Sequence, residues 1–111
     1  GIFAFNKDLE KIVIEASDTT GERGYPLPIW DEVADDTKGT ISDLSNIGNT
    51  RGSAGSMVAA AFLNEFVNDI PFVHIDIAGV ANDNQSIGYP KKQSAGYGVQ
   101  LVTEIAKILS K

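Results

Sequence analysis

Cysteine is absent from the 111 residues, which excludes disulfide frameworks, thiolate zinc centres and cysteine nucleophiles together. A reducing cytosol fits that absence. Histidine occurs once, at position 74. Basic residues are scarce: 9 Lys and Arg against 15 Asp and Glu give a formal net charge of -6. Binding a phosphate backbone needs clustered cations that release counterions, so nucleic acid and anionic membrane surfaces are disfavoured as partners. No apolar run approaches the ~20 residues that span a bilayer, and no basic stretch leading into an apolar one marks a signal peptide. With 42% apolar and 22% charged residues, the composition is that of an ordered globular domain. The first residues, Gly1-Ile2-Phe3, carry no initiator methionine, so the chain is expected to be a processed or truncated piece.

Hydrophobic periodicity predicts four helices. Asn6 suits an N-cap for a helix whose apolar positions Leu9, Ile12, Val13 and Ala16 follow the i, i+3, i+4, i+7 spacing, with Gly21 as its stop. Pro26 and Pro28 force an extended path, and Pro28 suits the first turn of a short helix through Ile29, Trp30, Val33 and Ala34 that ends by Gly39. Residues 45–56, rich in Gly, Ser and Asn, read as a loop. Met57 to Leu63 is apolar nearly all round, which predicts a helix buried on every side at its start. A last helix runs from Val99 through Val102, Ile105, Ala106 and Leu109, with Lys107 and Lys111 at the negative end of its dipole.

Strands are fewer. Residues 72–79 are β-branched and short, as a buried strand requires; Gly1 to Phe5 is the only second candidate, and residues 82–96 read as a long loop. Two strands make a marginal sheet, because their outer ladder groups lack partners. The expectation is an α/β fold, helices flanking a central, mostly buried sheet, of which this chain holds an incomplete share.

Several residue groups invite a chemical reading. His74 and Asp76 fall on one face of a strand and could act as a base and its orienter. No nucleophile or third ligand stands near them in sequence, and a zinc site wants three or four ligands, so a buried hydrogen-bonded pair is the simpler expectation. Gly48 to Ser53 resembles a phosphate loop only loosely, lacking the Walker spacing and its lysine; close backbone packing before a buried helix accounts for it. Asp31, Glu32, Asp35 and Asp36 lack calcium-loop spacing and read as a solvated helix face. Asn84-Gln85-Ser86 matches a glycosylation sequon without a secretory context.

Five motifs carry a wider likeness. Thr20-Gly21-Glu22-Arg23, Leu27-Pro28-Ile29-Trp30, Asp43-Leu44-Ser45-Asn46-Ile47-Gly48, Ala59-Ala60-Ala61-Phe62-Leu63 followed by Glu65-Phe66-Val67, and His74-Ile75-Asp76-Ile77-Ala78-Gly79 together resemble the C-terminal part of the leucyl (cytosol) aminopeptidase family. Order and spacing agree from about Gly1 to Leu109. The resemblance implies that residues 1–111 are a C-terminal segment of an α/β catalytic domain with a mixed central sheet, preceded in the parent by a smaller N-terminal domain and assembled as a cytoplasmic homohexamer. It implies removal of N-terminal residues, Leu favoured, from peptides by two divalent ions (zinc, manganese or magnesium) that polarise the scissile carbonyl and activate a bridging water.

The family's metal ligands, catalytic lysine and Asn-Thr-Asp-Ala-Glu-Gly-Arg signature lie upstream of the matched segment, so no catalytic and no metal-ligating residue is expected here. Asn49-Thr50-Arg51-Gly52 shares two letters with that signature but has no carboxylate. What the resemblance carries over is a substrate wall. Ile47 matches the isoleucine beside the residue after the scissile bond, while Ala78 and Ala81 match apolar positions around the N-terminal side chain. The segment is accordingly expected to be inactive alone. The alternative is a non-catalytic binding or assembly module with the same fold.

Overall fold

The computed structural model describes residues 1–49, 54–81 and 94–111. Along the chain the elements are β1 (Ile2–Ala4), α1 (Lys7–Thr20), α2 (Asp31–Asp36), α3 (Gly55–Asn64), β2 (Val73–Ile75) and α4 (Val99–Leu109). The expected loop at 45–56 and the loop at 82–96 fall partly, and the sequon wholly, outside the described residues.

α1 follows from its sequence. The Asn6 carboxamide oxygen accepts the N–H groups of Asp8 and Leu9 at 3.1 and 2.9 Å, which satisfies two donors that no helical carbonyl can reach. Gly21 ends the helix in the left-handed conformation at φ 74°, where a side chain would be strained. Val13, Ala16 and Ser17 form its buried stripe, and α4 packs along α1 with Leu101 fully buried.

β1 is the centre of the small sheet. On one side it pairs antiparallel with β2 in the register Ile2 with Ile75, Phe3 with His74 and Ala4 with Val73. On the other, the Ile2 N–H donates to the Tyr25 carbonyl at 2.9 Å and the Ile2 carbonyl accepts the Leu27 N–H at 2.8 Å, a parallel bridge opposite Pro26. Proline lacks an N–H and is tolerated at such an edge. Beneath the sheet, Phe3, Met57 and Ala60 form the core, with Phe5, Ile29 and Val33 packed against it. Burying a side chain of the size of Phe3 is worth about 1.5–3 kcal/mol. α3 touches β2 and α2, while α1 touches β1, so helices flank the sheet and the fold is α/β.

Three boundaries differ from the sequence expectation. α2 begins at Asp31, because Trp30 is extended (φ -111°, ψ 144°); the segment through Pro28 is held beside β1, and residues preceding prolines are driven away from helical dihedrals. α3 begins at Gly55, inside the Gly/Ser/Asn-rich stretch. β2 is three residues long and half-buried throughout rather than a buried strand over 72–79, since only β1 pairs with it among the described residues. α3 meets the expectation of all-round burial at its start, with Met57, Val58, Ala60 and Ala61 buried.

Candidate functional site

Ala78 and Ala81 sit on one tight turn that leaves β2. Asp76 begins it: a carboxylate oxygen accepts the Ala78 N–H at 2.8 Å, an aspartate turn of the kind that stops a strand. Val80 and Ala81 then both donate to the Ile77 carbonyl at 2.9 and 2.8 Å. The two alanines thus stand three residues apart on one hydrogen-bonded turn. The Ala81 carbonyl accepts the Ala95 N–H at 3.0 Å, which ties the turn to the segment that leads into α4.

That segment is held by a residue the sequence reading did not single out for a role. Glu22 is 3% exposed, and its Oε2 accepts the N–H groups of Gly98 and Leu101 at 3.0 and 2.8 Å. Gly98 occupies the N-cap of α4 and offers no side chain to cap it, so a carboxylate from the far end of the chain does so, placed where the helix dipole favours a negative charge. Three bonds seat the Glu22 turn. The Ser17 hydroxyl donates to the Glu22 carbonyl at 3.0 Å and accepts the Gly24 N–H at 2.8 Å, and the Tyr97 hydroxyl donates to the Arg23 carbonyl at 2.7 Å.

Ile47 lies elsewhere, on the loop after α2, and is 80% exposed. The loop leans on α2 through Asp36 and Asn49 and on α3, since a methyl at Gly48 would lie 3.3 Å from Val58 Cγ1. β2 also rests on α3, so α3 is the common support of the two candidate wall regions. No hydrogen bond joins the Ile47 loop to the 77–81 turn among the described residues.

His74 and Asp76 do not form the hydrogen-bonded pair expected from their spacing. The Asp76 carboxylate turns to the Ala78 N–H, and the imidazole faces the Phe3 ring, its partner in register, at 6.0 Å between centroids. Partial burial lowers the imidazole pKa from its ordinary value of 6.5, with the Asp76 charge acting against that shift.

Among the described residues no three His, Cys, Asp or Glu side chains converge on a point where a metal could sit. Asp8, Glu10, Asp35 and Glu104 are instead paired with lysines one helical turn away. The described carboxylates therefore do not fit a metal centre. An open cleft of about 280 Å³ lined by Phe5, Asn6, Asn64, Asn68, Asp69, Ile70 and Pro71 contains none of the three wall residues. No helix among the described residues is long and apolar enough to cross a membrane.

Residues 1–103 match the model of the cytosol aminopeptidase family, catalytic domain. A protein named cytosol aminopeptidase from Rickettsia prowazekii (strain Madrid E) is 37% identical over 108 residues, covering 96% of this chain and 22% of its own length. Probable cytosol aminopeptidases from Rickettsia massiliae (strain Mtu5) and Roseiflexus castenholzii (strain DSM 13941 / HLO8) are 37% and 39% identical, with 96% and 94% of this chain covered and 22% and 21% of their own lengths. The chain thus spans about a fifth of the length of the curated relatives it matches.

Proposed function

This chain belongs to the cytosol aminopeptidase family, and on that premise we propose that it is a C-terminal segment, residues 1–111, of the catalytic domain of a peptide-cleaving metallo-aminopeptidase that removes N-terminal residues, leucine above others. In this reading the segment supplies scaffold and pocket wall. Ala78 and Ala81 border the substrate's N-terminal side chain, and Ile47 borders the residue after the scissile bond. The two divalent ions, whether zinc, manganese or magnesium, are held by residues other than those described here. The parent is a cytoplasmic homohexamer, and the segment alone is inactive.

The observation that carries the wall assignment is the 77–81 turn. It holds the backbone of two small apolar residues three positions apart, Ala78 through Asp76 and Ala81 through Ile77 and Ala95. An apolar wall suits leucine, whose side chain gains about 1.5–3 kcal/mol on leaving water. Nothing larger than a methyl projects from either position, so a bulky side chain has room.

The test is turnover of leucine 4-nitroanilide with added manganese or zinc, by the 111-residue chain and by the full-length protein that carries it. Turnover by the full-length protein alone is expected. Robust turnover by the 111 residues would overturn the assignment of chemistry to other residues, and an inert full-length protein would favour a non-catalytic binding or assembly module.

A further inference from the structure

Ile47 presents a difficulty for its assigned role. A wall residue must hold its place to within a fraction of an ångström to discriminate substrates, yet Ile47 is 80% exposed and stands outside the core cluster of the described residues. Its position has to come from the backbone on either side. On the C-terminal side the Asn49 N–H is shared between the Asp36 carbonyl at 3.1 Å and the Asp36 Oδ1 at 3.2 Å. The Asn49 side-chain amide reaches back to the carbonyls of Asp36 and Lys38 at 3.1 and 2.8 Å. Between them Gly48 takes φ 67°, and a methyl there would stand 2.6 Å from Asp36 Oδ2, so the carboxylate lies directly against the glycine backbone. On the N-terminal side the Ser45 N–H donates to the Thr37 carbonyl at 2.7 Å, and Lys38 bridges Leu44.

Asp36 is also oddly placed for a merely solvated acid. It is the last residue of α2, where the helix dipole disfavours a negative charge, and it is half-buried. Accepting the Asn49 N–H offsets that cost, and α2 itself is braced on α3. From this geometry we infer that Asp36 and Asn49 form a clamp that fixes Ile47, which makes Asp36 a positioning residue for selection of the residue after the scissile bond. The inference rests on the reading of Ile47 as that wall. Asp36 touches no substrate; it acts through the loop.

The experiment compares kcat/KM of the full-length protein on Leu-Leu and Leu-Gly, which differ only after the scissile bond, and on Leu-Gly and Val-Gly, which differ only before it. Ile47→Ala is expected to lower the Leu-Leu to Leu-Gly ratio, and Asp36→Ala to lower it by roughly fivefold or more, mainly through KM, because a displaced wall loses binding rather than chemistry. The Leu-Gly to Val-Gly ratio should hold in both, since the 77–81 turn is anchored separately. Asp36→Asn keeps an oxygen for the Asn49 N–H and should retain most of the ratio. If Asp36→Ala yields no folded protein, Asn49→Ala decides, with the same shift expected. Equal loss on all three dipeptides in the Asp36 or Asn49 variant would overturn the clamp while the Ile47 wall stands. An unchanged ratio in Ile47→Ala would overturn the wall and the clamp with it.

Discussion

Replacing Glu22 by alanine tests how α4 is held. Two backbone N–H groups, those of Gly98 and Leu101, lose a charged acceptor at 3.0 and 2.8 Å. Hydrogen bonds to a charged group contribute about 1.5–3 kcal/mol each, but both here converge on one oxygen and cannot be added in full. Loss of an ordinary N-cap costs about 0.5–2 kcal/mol, and a partly buried charge at a helix end contributes up to ~2 kcal/mol more. The Leu101 donor sits in a buried setting that water reaches poorly, which favours the upper part of the range, whereas relief of the desolvated carboxylate pulls the figure down. The balance is roughly 2–3 kcal/mol for Glu22→Ala and about 1 kcal/mol for Glu22→Gln, which keeps an oxygen and loses the charge. A large protein need not unfold in one step, so the decisive measurement is hydrogen exchange in the full-length protein. At 1.4 kcal/mol per factor of ten, the Leu101 amide should exchange about 30–150-fold faster in Glu22→Ala. Exchange within about threefold of the parent would refute the capping argument, as would an equal acceleration at amides of α3.

Asn6→Ala should cost about 1 kcal/mol by thermal or urea unfolding, because the oxygen that accepts the Asp8 and Leu9 N–H groups is lost, while Asn6→Asp should cost little. For His74, burial lowers the folded-state pKa below the ordinary 6.5, so the folded protein takes up a proton less readily than the unfolded one. Stability is then complete above about pH 6.5 and falls as the pH drops through that value toward the folded-state pKa. Melting temperatures between about pH 7.5 and 5.5 should show this decline, and His74→Gln should flatten it. In the full-length protein His74→Ala should lower the melting temperature without changing metal content.

The helices were the most legible part of the sequence. α1 declared both ends, through a side-chain cap at Asn6 and a left-handed stop at Gly21, and α4 declared its spacing, although Val99, Val102 and Leu109 turn out exposed while Leu101 carries the burial. Such signals are local, within one or two turns. The shortfall came where a residue acts at a distance. Nothing near Glu22 indicates that its donors lie 76 and 79 positions onward, and Asp36 looked like one more acid on a wet helix face until the loop 13 positions later closed on it. Local rules also overran at residues 76–79, where β-branched composition continued to suggest strand but the Asp76 side chain had already captured the Ala78 N–H. Pro28 misled for the opposite reason: it is compatible with a helix start, and only the pairing of Tyr25 and Leu27 with Ile2 shows why the helix waits until Asp31. The family likeness, by contrast, was legible in full, since it rests on the order of motifs and not on their contacts.

The double-sided pairing of β1 also sets an order of assembly. As a chain leaves the ribosome at about 5–20 residues per second, the Tyr25 and Leu27 bonds to Ile2 become available soon after α1 is made, over a loop short enough to close at small entropic cost. The other side must wait for β2, whose neighbouring contact joins residues 75 positions apart, so β1 spends on the order of several seconds of synthesis half-paired. The Glu22 carboxylate waits longer still, until α4 appears. A nascent chain stopped before α4 would therefore hold the Glu22 carboxylate without its Gly98 and Leu101 donors and leave the α4-facing side of α1 uncovered, surface that the finished chain keeps from water.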